Sequence, residues 1–200
     1  RAYSNEPRTI LEVMNSKQIT DDLRLLDCSR SCSGSSSIIL ASEEKARKIS
    51  ECPIWIKGIG QKTTSASFTK NNLDKISSTQ IASKDALKMA KITHEQVDVA
   101  EVHDAFSVCE LMAISEIGFT TNENSGEFVR NLFNTENKMI NPRGGLIGAG
   151  HPLGATGISQ TIEIVNQLQE KCDKRQISNA KIGLIQNMSA AGTSISIMVL

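Results

Sequence analysis

Residues Asn141–Gly157, NPRGGLIGAGHPLGATG, set six glycines around a single histidine, His151, and then run into a stretch with helical apolar spacing. A packed core has no use for that density of glycine. A backbone that must take positive φ and admit another group close to it does. Pro142 and Pro152 stiffen the two ends. His151 stands just ahead of a helix start, where free N–H groups and the helix dipole favour an anion. An imidazole there can donate to a developing oxyanion or take a proton. The competing reading is a tight structural turn with a surface histidine.

Two further constellations bear on it. Val102-His103-Asp104-Ala105-Phe106 follows a short β-favouring run and precedes a helix-period run. That places His103 and Asp104 at a strand-to-helix turn, the edge at which open α/β sheets bind ligands. The plain alternative is that Asp104 caps the following helix and His103 is an exposed turn residue. Gln186–Ser194, QNMSAAGTS, puts small residues between two apolar runs and reads as a tight turn or ordinary hairpin.

Composition narrows the classes. With 22 basic and 22 acidic residues there is no basic excess of the kind nucleic acid demands. The longest apolar runs, such as Ile195–Leu200, fall far short of the roughly 20 residues that span a bilayer. Arg1–Asn15 has no apolar segment of the secretory kind. The chain opens mid-pattern, which reads as one half of something larger. The five cysteines, Cys28, Cys32, Cys52, Cys109 and Cys172, are irregularly spaced and form no disulfide framework. Cys28-x-x-x-Cys32 lacks a second pair at zinc spacing, so no metal site is expected. Reduced thiols in a cytoplasmic protein follow. Apolar neighbours make Cys109 a buried structural thiol, and His94 reads as solvated.

Periodicity supplies the elements. Ile10, Leu11 and Met14 suggest a short helix. Ile38–Leu40 reads as a buried strand fed by a serine-rich loop. Ser42–Ser50 has helix-start chemistry, with Ser42 as N-cap and Glu43 and Glu44 in the first turn. Pro53–Gly60 reads as a strand and Ser78–Lys91 as a helix. Val97–Val102 is a strand, and Ala105–Ile117 is a helix that Gly118 stops. Gly126–Asn134 suggests another short helix. Gly154–Lys171 is a long helix, and Ile182–Gln186 and Thr193–Leu200 are closing strands in an antiparallel hairpin. This order is an α/β layered domain with a mixed sheet.

Together these blocks resemble the C-terminal half of the thiolase family. NPRGGLIGAGHPLGATG is similar to its Gly-His-Pro block. VHDAFSVCELMAISEIGF is similar to its second block, in the His-Asp-x-Phe form of the archaeal and sterol-carrier-protein-x-type branch rather than the Asn-Glu-Ala-Phe of standard thiolases. LRLLDCSRSCSGSSSIILAS is similar to the segment that closes the N-terminal half. The resemblance covers essentially the whole chain. It implies the five-layer αβαβα fold, with residues 1–50 ending the loop and N-terminal-half region and 51–200 forming the C-terminal domain.

The resemblance also implies a dimer or tetramer, acyl-coenzyme A thioesters as substrates with no covalently bound cofactor, and acyl-CoA C-acyltransferase chemistry. It implies a small zinc-ribbon/OB-fold partner protein. The nucleophilic cysteine would lie in the N-terminal half. His151 would activate it and help form an oxyanion hole, and His103 would donate there directly or through a water; with the second cysteine replaced, His103 could itself serve as the base that removes the α-proton. Ala105 and Phe106 would touch the pantetheine arm, and Gly150, Asn187 and Gly192 would line the same substrate site. Departures accompany the matches. Asn187-Met188-Ser189 stands where the family carries its second, acid/base cysteine in a Cys-x-Gly turn, and Ala105 stands where the sterol-carrier branch carries one. A thiolase-like aldolase or lyase, or a non-catalytic acyl-CoA or lipid-binding protein, is therefore also implied.

Overall fold

The sheet is built on four strands, β1 (Gly58–Thr63), β2 (Val99–Glu101), β3 (Gly183–Ser189) and β4 (Ser194–Val199), in the order β1-β4-β3-β2. The structure, a computed structural model, describes residues 7–65, 67–70, 74–135, 139–189 and 192–200. β3 and β4 form the expected antiparallel hairpin, with Leu184 opposite Val199 and Ser189 opposite Ser194. Residues 190 and 191, inside the anticipated turn, lie outside the described residues. β1 adds antiparallel to β4, and β2 adds parallel to β3, so the sheet is mixed.

The helices are α1 (Ile10–Met14), α2 (Glu43–Ile49), α3 (Ser77–Ala90), α4 (Ser107–Ile117), α5 (Ser125–Asn134), α6 (Gly145–Ala149) and α7 (Thr156–Leu168). Their ends obey local chemistry. Ser42 accepts the Lys45 N–H to cap α2, and Gly118, at φ 107°, closes α4 in the left-handed region. Strand alternation then sorts the core onto two faces. Ala100, Leu184, Ile195, Ile197 and Val199 pack with Ala82 and Ala86 of α3 and with Ala113 and Ile117 of α4. Val99, Ile185 and Leu200 pack on Ile164 of α7. The sheet therefore lies between two helix layers, and both histidine blocks leave it at one end.

Two strand expectations are corrected. Pro53–Gly60 does not pair throughout, because β1 begins at Gly58. Its inward positions are Gly58 and Gly60, where a Cβ would overlap the carbonyl oxygens of Ala86 and Ala82, while Ile59 faces out at 49% exposed. Close approach of strand to helix selects glycine, so the buried face of β1 carries no apolar signal. Ile38–Leu40 is not a buried strand. Ile39 is 88% and Leu40 72% exposed, outside the pairing of the four strands. Further upstream, the backbone of Ser29 and Arg30 bonds to Ala105 and His151 in the two histidine blocks. Smaller shifts are the later start of α4, which leaves Phe106 as its N-cap, and α6, which forms within what reads as loop.

Candidate active site

His103 projects from the place where the chain leaves β2. Beyond Glu101 the strand ladder ends, so the Val102 and His103 N–H groups need other partners. Val102 donates to Asn141 Oδ1 and His103 to Gln186 Oε1, each at 2.8 Å. Asn141 opens the glycine block and Gln186 opens the QNMSAAGTS block. Two side-chain amides thus tie all three motifs together at His103. Neither was singled out from sequence, although an amide at the first position of each block was the available signal.

Asp104 holds the next joint. Its carboxylate accepts the Leu146 N–H at 2.6 Å and the Ile147 N–H at 3.3 Å. It therefore caps α6, the helix that leads to His151, and not α4 as local reasoning suggested. Gly145, at φ 60°, lies against this carboxylate so closely that a Cβ there would overlap it. Gly150, at φ 89°, lets the chain pass Cys32, whose Sγ would lie 2.8 Å from a Cβ at that position. A third tie comes from the N-terminal segment. Ser29 donates its N–H to the Ala105 carbonyl, and the Arg30 carbonyl accepts the His151 N–H, both at 2.8 Å.

The outcome is a histidine pair. The imidazoles of His103 and His151 meet edge to face, with ring centroids 4.9 Å apart and planes at 85°. His103 is buried rather than an exposed turn residue, at 5% exposure. Burial, and then the His151 ring, lower it to about 4. Burial also lowers His151. Both rings are neutral at neutral pH.

Their hydrogen bonds permit opposite polarity. Thr156 Oγ1 lies 2.7 Å from His151 Nδ1 and 3.2 Å from the Pro152 carbonyl oxygen. That carbonyl also accepts the Ala155 and Thr156 N–H groups, so the hydroxyl proton can go either to it or to the imidazole. When it goes to the carbonyl, the hydroxyl accepts from His151 Nδ1–H, the tautomer that leaves Nε2 with a free lone pair. His103 Nδ1 is buried and has no hydrogen-bond partner among the described residues. Orphaned buried N–H groups are rarer than bare acceptors, which assigns the His103 proton to Nε2. In these tautomers one ring offers an N–H donor and the other a base.

The other expected site residues have partners of their own. Ala105 is half-buried and Phe106 exposed, just after Asp104. Asn187 donates its Nδ2–H to Gln160 Oε1 of α7 at 2.9 Å. Gly192, at φ 78°, accepts the Ser78 hydroxyl on its carbonyl at 2.7 Å. Cys109 is half-buried, and burial pushes its thiol up, so it is protonated at neutral pH. His94 is part-exposed and stands edge-on to Phe119, with centroids 6.5 Å apart. Among the described residues no group of three or more His, Cys, Asp or Glu side chains could hold a metal ion. No helix among them is long and apolar enough to cross a membrane.

A cleft of about 480 Å³ opens behind the His151 loop, between Gly150 and Pro152 on one side and Arg143, Ser159, Glu163 and Arg175 on the other. Neither histidine lines it. Beside it Glu101 is fully buried. Arg143 Nε donates to its Oε2 at 2.9 Å, while Oε1 has no partner among the described residues. Burial pushes Glu101 up to about 8 in spite of that guanidinium, and burial with the nearby Asp104 charge pushes Glu110 up to about 7. Unfolded glutamates lose their protons near 4.3. Between that value and the folded values the folded protein holds protons the unfolded chain has lost, so stability falls as pH rises. The lowered His103 acts in the opposite sense, but only between about 4 and its ordinary value. The protein is therefore expected to lose on the order of 2 kcal/mol between pH 6.5 and 8.5 in urea unfolding, and Glu101→Gln to flatten that slope. Equal wild-type midpoints at both pH values would contradict it.

A family model described as thiolase C-terminal domain-like matches residues 60–200. The chain belongs to the thiolase family. It is 36% identical to an acetyl-CoA acetyltransferase of Methanothermobacter thermautotrophicus over 98% of this chain and 54% of that protein. It is 34% identical to the non-specific lipid-transfer protein-like 2 of Caenorhabditis elegans, over 92% of this chain and 47% of that one. Human sterol carrier protein 2 is 33% identical over 92% of this chain and 35% of its own length. These are the archaeal and sterol-carrier branch of the thiolases. The chain spans about half the length of the archaeal acetyltransferase it matches, and about a third of sterol carrier protein 2. A solved structure, the Ltp2-ChsH2(DUF35) aldolase, shares the fold with a TM-score of 0.81 at 18% identity. The match covers 96% of this chain and 51% of that one.

Proposed function

We propose that this chain is the histidine-bearing half of a thiolase-type acyl-CoA C-acyltransferase. The observation that carries the proposal is the edge-to-face contact of the two neutral imidazoles of His103 and His151. A thioester carbonyl gains negative charge on oxygen both when a nucleophile adds to carbon and when the α-proton leaves. His103 Nε2–H donates to that oxygen, and His151 Nε2 takes a proton. Phe106, exposed beside His103, offers an apolar wall for the substrate's pantetheine arm, with Ala105, Gly150, Asn187 and Gly192 at the same site. In this reading the nucleophilic thiol comes from the other half of the protein, and residues 1–50 and 51–200 are the two units of this one. Self-association, a second small zinc-ribbon/OB-fold protein and a cytoplasmic setting belong to the same reading.

One observation favours a second reading. The end of β3 presents Asn187, already bonded to Gln160, where a transferase of this family would carry its second thiol. Carbanion chemistry needs a base and an oxyanion donor but not that thiol, so a thiolase-like lyase fits as well. The name of the structurally similar aldolase points the same way.

Both readings pass through the α-carbanion of an acyl-CoA thioester, which loses an α-proton in condensation and gains one in cleavage, so one exchange assay tests them together. The full protein should exchange the α-protons of acetyl-CoA or a longer acyl-CoA into D2O. His103→Ala should slow that exchange by about 10²-fold. Exchange that is absent with every acyl-CoA tried, or unchanged in His103→Ala, would sink the proposal. Acyl transfer to a second thiol would then favour the transferase, and carbon–carbon cleavage without an acyl-enzyme the lyase.

A further inference from the structure

The hydrogen bond that secures Val102 has its own support. The Val102 N–H can be met only by the oxygen of the Asn141 amide, which it finds at 2.8 Å. The amide orientation is thereby fixed, and its Nδ2 must face the other way. There it meets Glu110 Oε2 of α4 at 2.6 Å. Asn141 cannot drift from this post. Its N–H donates to the Ala100 carbonyl and its own carbonyl accepts the Gly144 N–H, each at 2.8 Å. Its φ of 48° is left-handed, a conformation that asparagine tolerates better than other side chains. One amide thus spans the end of β2 and the start of the His151 block, and a carboxyl group one turn into α4 accepts its other end.

We propose that Glu110 is a positioning residue for His103, acting through Asn141 to hold the strand end from which that imidazole projects. The proposal rests on the reading of His103 as an oxyanion donor. Among the described residues, the hydrogen bond of the Glu110 carboxyl group goes to Asn141 and to neither histidine. Among the described residues, the charged group that acts on it is Asp104 in the turn before α4. Both the carboxylate and the carboxylic acid can accept from Asn141 Nδ2–H. An amide in its place can do the same through Oε1, whereas an alkyl side chain cannot. The interaction is one of geometry, and a donor aimed at a developing charge loses most of its worth when displaced.

The test uses the full protein with two readouts, the imidazole NMR signals of His103 without substrate and α-proton exchange of acetyl-CoA. Glu110→Leu should shift the His103 signals and slow exchange by about tenfold or more with little change in KM. Glu110→Gln should keep both readouts within about twofold of wild type, because the acceptor survives. Asn141→Asp places two carboxyl groups face to face. They can share one proton but repel once both are ionised. That variant should lose exchange as pH rises through neutrality, and adding Glu110→Gln should restore it, since the new amide donates to the new carboxylate. The double variant preserves volume and keeps the test open if Glu110→Leu does not fold. Wild-type behaviour in Glu110→Leu, a Glu110→Gln variant as impaired as Glu110→Leu, or no rescue in the double variant would overturn the proposal. His103 signals that respond as stated in a protein that exchanges no acyl-CoA would instead overturn the functional reading and leave the positioning role standing.

Discussion

His151→Ala is expected to slow α-proton exchange of acyl-CoA by about 10³-fold or more, the scale lost when a positioned general base is removed. The expectation rests on polarity rather than on the presence of an imidazole. Thr156 Oγ1 lies 2.7 Å from His151 Nδ1 and can pass its own proton to the Pro152 carbonyl. In that arrangement the basic lone pair stands on Nε2 before any substrate arrives. Thr156→Val removes that constraint but leaves the ring, so a smaller loss of about tenfold is expected, from a ring free to choose the wrong tautomer. Because burial lowers His151 below its ordinary value, the acid limb of the pH–rate profile should lie below 6.5. His151→Asn distinguishes donor from base. It restores an N–H but no base, and should remain as slow as alanine. Recovery in His151→Asn, or a His151→Ala rate within tenfold of wild type, would show that the proton leaves by another route.

Much of this site is legible in the chain because its demands are local. Glycine density around His151 reports positive φ at Gly144, Gly145 and Gly150. The β-favouring run before His103 and the apolar spacing after it put that residue at a strand-to-helix edge. What is not legible is pairing at a distance. The local rule gives Asp104 to the helix three residues on, yet its carboxylate finds α6, whose first N–H groups lie forty-two and forty-three positions away. Asn141 and Gln186 look like ordinary polar members of loop and strand until β2 ends and leaves two N–H groups unpaired. The strand at Gly58–Thr63 is disguised for another reason. Its buried positions were selected for the absence of a side chain, so its isoleucine points outward and the apolar signal falls on the wrong residues. Ile38–Leu40 misleads in the opposite direction, since β-propensity forms no strand without a partner.

The joint between Asp104 and α6 also sets the largest structural sensitivity. Gly145→Ala is expected to cost about 3 kcal/mol or more, out of a total of roughly 5–15 kcal/mol for a domain of this kind. Two costs combine at one position. The backbone sits at φ 60°, where a Cβ costs about 1 kcal/mol or more. The new methyl also overlaps the Asp104 carboxylate. Moving the carboxylate aside leaves the Leu146 and Ile147 N–H groups at the start of α6 unpaired, and each buried unpaired donor costs on the order of 1 kcal/mol or more. Moving the backbone instead swings α6 and, with it, Gly150 and His151, away from His103. In either case the 4.9 Å contact of the two rings is lost. Chemical denaturation should show the fall in stability, and His103 and His151 imidazole shifts should both move. Asp104→Ser in the Gly145→Ala background removes the overlap and keeps a small acceptor, so it should regain part of the stability. A Gly145→Ala protein within about 0.5 kcal/mol of wild type, the ordinary range for a surface substitution, would mean that Asp104 does not hold the two histidine loops together.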